Sequence, residues 1–117
     1  MCIRDSGTTF GGNPVCCAGA VNILSRIDDR LLEGVRERSD YLRRTLQAAP
    51  GIRSVTGMGL MLGLEIDIPA REFAERALRE GVLVTTAKQK IRLLPALNIP
   101  MELLKTAAQA LVHCAAE

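Results

Sequence analysis

The run Leu60-Met61-Leu62-Gly63-Leu64-Glu65-Ile66 constrains the fold of this chain more than any other segment. Side chains of a strand alternate between its two faces, so Leu62, Leu64 and Ile66 share one face and Met61, Gly63 and Glu65 the other. An apolar face of that kind must be covered by another layer of structure. Ile52 to Thr56 reads as the strand before it, across a Gly57-Met58-Gly59 turn, and Pro50-Gly51 ends whatever helix precedes. Gly59 and Gly63 fit a bulge or a close approach of neighbouring backbone. Val82 to Thr85 and Lys90 to Leu94 read as a second strand pair, joined by the polar loop Thr86-Ala87-Lys88-Gln89.

Helical periodicity fills the rest. Pro14 to about Ile27 is apolar nearly all round, with Val15, Cys16, Cys17, Ala18, Ala20, Val21, Ile23, Leu24 and Ile27, and such a helix needs burial on more than one side. From Asp28 or Asp29 to about Ala48, Leu31, Leu32, Val35, Leu42 and Leu46 recur at helical spacing. Arg36, Glu37, Arg38, Arg43 and Arg44 form the solvated side. Ala70 to Glu80 turns Phe73, Ala74, Ala77 and Leu78 inward and stops at Gly81. Pro100 opens a last helix with Leu103, Leu104, Ala107, Ala108, Leu111 and Val112. The expected architecture is α/β: helices packed on a small, largely antiparallel sheet, with an extra apolar helix in front.

Composition excludes several functions. The net charge is +2, with one Tyr, two Phe and no Trp, and no contiguous basic run, so nucleic acid is a poor partner. No stretch reaches the ~18 apolar residues of a membrane span, and the N-terminus lacks the apolar core of a signal peptide; the expected compartment is the cytoplasm. The four cysteines show neither zinc spacing nor a CxxC motif, and Cys16 and Cys17 read as small apolar residues buried in a helix. The single histidine, His113, has no second ligand type near it in sequence, so no metal site is expected.

Two segments carry candidate chemistry. In Gly7-Thr8-Thr9-Phe10-Gly11-Gly12-Asn13-Pro14, glycines free the backbone, Asn13 suits a helix N-cap and Pro14 a first helical position. The loop is either a plain glycine turn entering a helix or a phosphate site built from hydroxyls and amides. In Ile91-Arg92-Leu93-Leu94-Pro95, Arg92 places a guanidinium at the edge of an apolar strand. It is either an exposed surface arginine or a planar fork for a carboxylate.

The order and wording of these blocks settle how we read them. GTTFGGNP with its small-residue apolar helix, then Gly57-Met58-Gly59-Leu60-Met61-Leu62-Gly63-Leu64-Glu65, then Gly81-Val82-Leu83-Val84, and finally Ile91-Arg92-Leu93-Leu94-Pro95-Ala96-Leu97-Asn98-Ile99 strongly resemble the class III, pyridoxal-phosphate-dependent aminotransferases. Within that family the wording is most similar to bacterial members acting on acetylornithine. The resemblance covers about residues 7 to 117 and implies the end of a fold-type-I transferase: 7–29 the cofactor-phosphate loop and interdomain helix, 30–117 the C-terminal small domain. Residues 1–6, Met1 to Ser6, depart from the family pattern and read as a foreign leader.

The resemblance implies pyridoxal 5'-phosphate as cofactor and a homodimer as the working unit. Amino-acid and 2-oxo-acid substrates are implied, and neither nucleic acid nor membrane. Thr9 matches the threonine that donates to the cofactor phosphate of the neighbouring subunit, with Thr8 in the adjacent hydroxyl position. Arg92 matches the arginine that clamps the substrate's α-carboxylate. No catalytic residue is transferred, because Lys88, Lys90 and Lys105 all lie outside any context like that of the family's cofactor (Schiff-base) lysine; alone, the chain is expected to be inactive. The alternatives are another class III enzyme acting on ornithine, succinyldiaminopimelate or 4-aminobutyrate, an aminomutase, racemase or decarboxylase of the same fold, and a free-standing α/β module that binds a small molecule or protein.

Overall fold

The alternating run becomes the second strand of a four-stranded, wholly antiparallel sheet. The structure, a computed structural model, describes residue 9 and residues 11–116; the proposed leader 1–6 and Thr8 lie outside the described residues. In chain order the elements are α1 (Pro14–Leu24), α2 (Asp29–Gln47), β1 (Ile52–Met58), β2 (Met61–Ile66), α3 (Ala70–Arg79), β3 (Thr85–Ala87), β4 (Lys90–Leu93) and α4 (Met101–Ala116). The strands lie in the order β1-β2-β4-β3.

One face of the sheet makes the core. Leu62, Leu64 and Ile66 of β2 are buried with Ile91 and Leu93 of β4 and with Ile52 and Val55 of β1. Leu42 and Leu46 of α2, Phe73 and Ala77 of α3, and Leu104, Ala108 and Leu111 of α4 complete the same cluster. The expected α/β arrangement is therefore the one that forms. On the opposite face Thr56, Met58, Met61, Thr85 and Arg92 stay exposed.

Local chemistry sets the helix ends. Asn13 caps α1, its Oδ1 accepting from the amides of Val15 at 3.0 Å and Cys16 at 3.3 Å. Asp28 caps α2 by accepting from the Leu31 amide at 2.8 Å. After α3 the amide of Gly81 donates to the Leu78 carbonyl at 3.0 Å and that of Val82 to the Ala77 carbonyl at 2.8 Å. This paired bonding, with Gly81 at φ +79°, is a Schellman motif.

Three expectations need correction. The β1–β2 turn is the two-residue Gly59-Leu60, flanked by the Met58–Met61 pair, so β1 runs on through Met58. Gly59 takes φ +53°, as a tight hairpin of this length demands; the sheet's register shift falls between Ile52 and Ser54, away from Gly59 in the turn and Gly63 in β2. The third strand is Thr85–Ala87, not Val82 to Thr85. Val82 is held by the end of α3 and packs on the core with Val84, while Thr86 and Ala87, expected in the loop, pair with Ile91 and Lys90. Finally, α1 ends at Leu24, and Cys16 and Cys17 are exposed, while Cys114 in α4 is buried. No residue of α1 is buried, so its apolar surface finds no cover among the described residues.

Candidate functional site

The exposed face of the sheet is organised in rows. Pairing of β1 with β2, β2 with β4 and β4 with β3 lines up Thr56, Gly63, Arg92 and Thr85, and beside them Ser54, Glu65, Lys90 and Ala87. Arg92 reaches this face because Ile91 and Leu93 on either side of it are buried, and a strand sends alternate residues to opposite sides. Its neighbour on β2 is a glycine, so no side chain stands over it from that strand. Its neighbour on β3 is Thr85, whose hydroxyl donates to the Arg92 carbonyl at 3.3 Å.

Among the described residues the Arg92 guanidinium has no hydrogen-bond or ion-pair partner. Arg92 is one of the residues lining a cleft of about 300 Å³ whose other walls are mainly apolar: Leu83, Leu94, Pro95 and Ile99, with the core residues Leu42, Leu104 and Leu111. A planar cation beside an apolar cleft suits an organic anion, since the fork bonds both oxygens of a carboxylate while the wall takes its carbon chain.

The second row is already paired. Lys90 Nζ lies 2.8 Å from Glu65 Oε1, and the Ser54 hydroxyl donates to Glu65 Oε2 at 2.8 Å. The Lys90 ammonium first, and the Ser54 hydroxyl second, hold the Glu65 carboxyl below its ordinary pKa, with Arg53 adding to the effect. Sequence reading placed Glu65 on this face but missed the cluster, because joining Ser54, Glu65 and Lys90 requires the strand order.

The glycine loop stands apart. Thr9 is exposed in a turn, and none of the described residues between 9 and 24 lines the Arg92 cleft. The structure thus does not bring Thr9 and Arg92 together within one chain. The loop also differs from a phosphate site that uses the helix's own amides: Val15 and Cys16 donate to Asn13 Oδ1, Cys17 donates to the Asn13 carbonyl, and Pro14 has no amide hydrogen. A phosphate here would meet Thr9 and the amides of Gly11 and Gly12, and the space around Gly12 is open. The lysines offer no anchor for the cofactor's aldehyde: Lys90 is paired with Glu65, Lys105 lies 6.0 Å over the Tyr41 ring, and Lys88 is in the β3–β4 turn at φ +58°. Toward pyridoxal phosphate the described residues fit the phosphate end alone.

The fold is that of part of an aminotransferase. Acetylornithine aminotransferase from Elizabethkingia anophelis superposes with a TM-score of 0.78 at 25% identity, over 98% of this chain and 31% of that one. Ornithine aminotransferase from Toxoplasma gondii gives 0.74 at 29% identity, over 97% and 29%. The sequence profile "Aminotransferase class-III" matches residues 1–115, and the chain belongs to the class III aminotransferase family. Acetylornithine aminotransferase of Haemophilus ducreyi is 39% identical over 115 residues, which are 97% of this chain and 29% of that protein. Ornithine aminotransferase of Bordetella pertussis is 41% identical over 113 residues, 92% and 28% respectively. The chain spans less than a third of the length of these relatives.

Proposed function

We propose that this chain is the C-terminal part of a pyridoxal-phosphate-dependent aminotransferase that moves an amino group between acetylornithine and 2-oxoglutarate. The observation that carries the reading is Arg92, exposed on the open sheet face with its guanidinium unpaired among the described residues, and itself one of the residues that line an apolar cleft. In a 2-oxo acid the reacting carbon is bonded directly to a carboxylate, so a two-point grip on that carboxylate fixes where the reacting carbon sits. The cleft residues Leu83, Leu94 and Pro95 offer apolar surface to the carbon chain of such a ligand. Pyridoxal phosphate, when bound, supplies the conjugated electron sink that bond cleavage at the reacting carbon needs.

On the cofactor side, Thr9 and the Gly11-Gly12 amides hold phosphate oxygens by hydrogen bonds. Because Thr9 does not meet Arg92 in one chain, this contact is made to the cofactor of a partner subunit in a homodimer. Replacing Thr9 with Ala in the intact enzyme removes a bond to a charged group and weakens cofactor retention by about 1.5–3 kcal/mol, read as the cofactor dissociation constant. An unchanged constant makes the loop purely structural.

The test of the central reading is Arg92→Lys in the intact enzyme. Lysine keeps the charge and loses the fork, so kcat/KM for 2-oxoglutarate falls by roughly ten- to a hundred-fold, with cofactor affinity little altered. Succinic semialdehyde, which lacks the carboxylate next to its carbonyl, is nearly indifferent to the change. Equal loss for both acceptors, or none for either, assigns Arg92 to the fold or the surface. Relatives named for acetylornithine and for ornithine match this chain at similar identity; the ratio of kcat/KM for the two donors decides between them.

A further inference from the structure

The two polar rows of the open face contain an electrostatic conflict that the structure resolves. Glu65 is the diagonal neighbour of Arg92: it pairs with Lys90, and Arg92 pairs with Gly63, two residues along each strand. Such diagonal positions lie about 7–8 Å apart, within the reach of long side chains, and Gly63 puts no side chain between them. An ionised glutamate so placed is a natural bidentate partner for the guanidinium and a direct competitor of any carboxylate ligand. It makes no such contact. One of its oxygens faces Lys90 Nζ at 2.8 Å and the other accepts from Ser54 at 2.8 Å.

We propose that Ser54 and Lys90 act as an electrostatic insulator, occupying both oxygens of Glu65 so that its carboxylate stays off Arg92 and the guanidinium remains open to the carboxylate of the substrate. Ser54, Glu65 and Lys90 are positioning residues: they act through Arg92 and touch no ligand. The proposal rests on the carboxylate-clamp reading of Arg92 and deepens it by saying what keeps the clamp open. The arrangement uses three strands, since Ser54 comes from β1, Glu65 from β2 and Lys90 from β4. Gly63 contributes from the other side: a Cβ there would already sit 3.3 Å from Thr56 Oγ1 and 4.0 Å from Lys90 Cδ, so any larger residue crowds the space between the rows.

The experiment is a double-mutant cycle in the intact holoenzyme, read as the dissociation constant of glutarate by calorimetry; glutarate has the carboxylates of the substrate and no reacting carbonyl. Lys90→Met releases Glu65 to pair with Arg92 and weakens glutarate about three- to fivefold, the range of a half-exposed ion pair. Glu65→Gln alone changes the constant less than twofold. Combined with Lys90→Met it restores binding to within twofold of the parent, and Lys90→Arg, which keeps the charge and the donor, stays near the parent. Strict additivity, with Lys90→Met costing the same whether position 65 is Glu or Gln, overturns the insulator, because loss of the lysine's own attraction for the ligand is additive and release of a competitor is not. Arg92→Gln is the separate control. Weakened glutarate binding there with an additive cycle refutes the insulator and leaves the clamp standing; unchanged binding refutes the clamp and the insulator with it.

Discussion

Helix α1 and helix α4 are both rich in small and aliphatic residues, yet α1 lies with all its residues exposed while α4 buries Leu104, Ala108, Leu111 and Cys114. The difference is in the pattern. In α4 the buried residues recur at intervals of three and four along one face, and Glu102, Lys105, Thr106 and Gln109 take the solvent side. In α1, PVCCAGAVNIL, Asn22 is the only polar residue, so there is no apolar stripe to distinguish from a polar back. A helix of the first kind is satisfied by one sheet; one of the second kind needs neighbours on several sides. The described chain supplies the sheet and not those neighbours, so the body from α2 to α4 holds a core of its own and α1 does not contribute to it.

The largest test of this division is a matched pair of truncations. Phe73→Ala removes a fully buried ring from the core and costs about 3–5 kcal/mol, a large fraction of the stability of a domain of this size. Ile23→Ala removes exposed surface and leaves the thermal midpoint unchanged. A common effect of the two would mean that α1 is part of the cooperative unit.

Two glycines sharpen the same point with backbone geometry held constant. Gly51 and Gly12 have φ of +82° and +83°. A Cβ at Gly51 would clash with the Ala115 carbonyl oxygen, whereas at Gly12 nothing among the described residues lies within 4 Å. Alanine at either site costs about 1–2 kcal/mol for the left-handed conformation, and at Gly51 overpacking adds about 1–3 kcal/mol. Chemical denaturation should register Gly51→Ala as a loss of body stability. Gly12→Ala should leave the unfolding midpoint alone, its strain being confined to a loop outside the body.

Exposed apolar surface gives the next effect. Val15, Val21, Ile23 and Leu24 are 58–80% exposed, and a patch of that kind favours association. The isolated 117-residue chain is expected to self-associate in sedimentation, and replacing these four residues with Ser to yield a monomer with an unchanged midpoint. A monomeric parent chain would show that the exposed apolar surface of α1 does not drive association.

How far the sequence reveals this division depends on whether the information is local. The inward face of β2, most of the stripes of α2 and α4, and the need of α1 for cover on several sides were legible, because periodicity is a property of consecutive residues; Leu32 and Leu103, read into those stripes, and Leu78, read as inward on α3, are exposed. The open-face position of Arg92 follows from its buried neighbours Ile91 and Leu93 in the same way. The hairpin turn was not legible, since Gly57 and Gly59 both permit one and the Met58–Met61 pairing chooses. Val82 to Val84 was misread because an apolar β-branched run looks like a strand wherever it lies. Here the end of α3 ties it to the core before it can enter the sheet. The Ser54–Glu65–Lys90 cluster was invisible for the strongest reason: its members come from three strands whose order, β1-β2-β4, is a tertiary fact.

The smallest effect separates the two regions by pH. Between Pro14 and Leu24 there is no carboxylate, amine or imidazole, so acidification from neutral pH changes no charge in α1. The body carries Glu65, whose folded pKa is lowered from 4.5 chiefly by Lys90 and then by Ser54. A lowered folded pKa means that the unfolded chain binds its proton first as pH falls, so the group's contribution is complete above about 4.5 and is lost as pH drops through the folded value. Lys90 and Glu65 are nearly half exposed, which keeps the contribution small and sensitive to salt. Comparing unfolding midpoints at neutral pH and at pH about 3, the parent should lose slightly more stability than Glu65→Gln, and the gap should close in high salt. A gap of the opposite sign would mean that Glu65 is more easily protonated in the folded chain than in the unfolded one, and that the row beside Arg92 is not the paired anion and cation that the geometry describes.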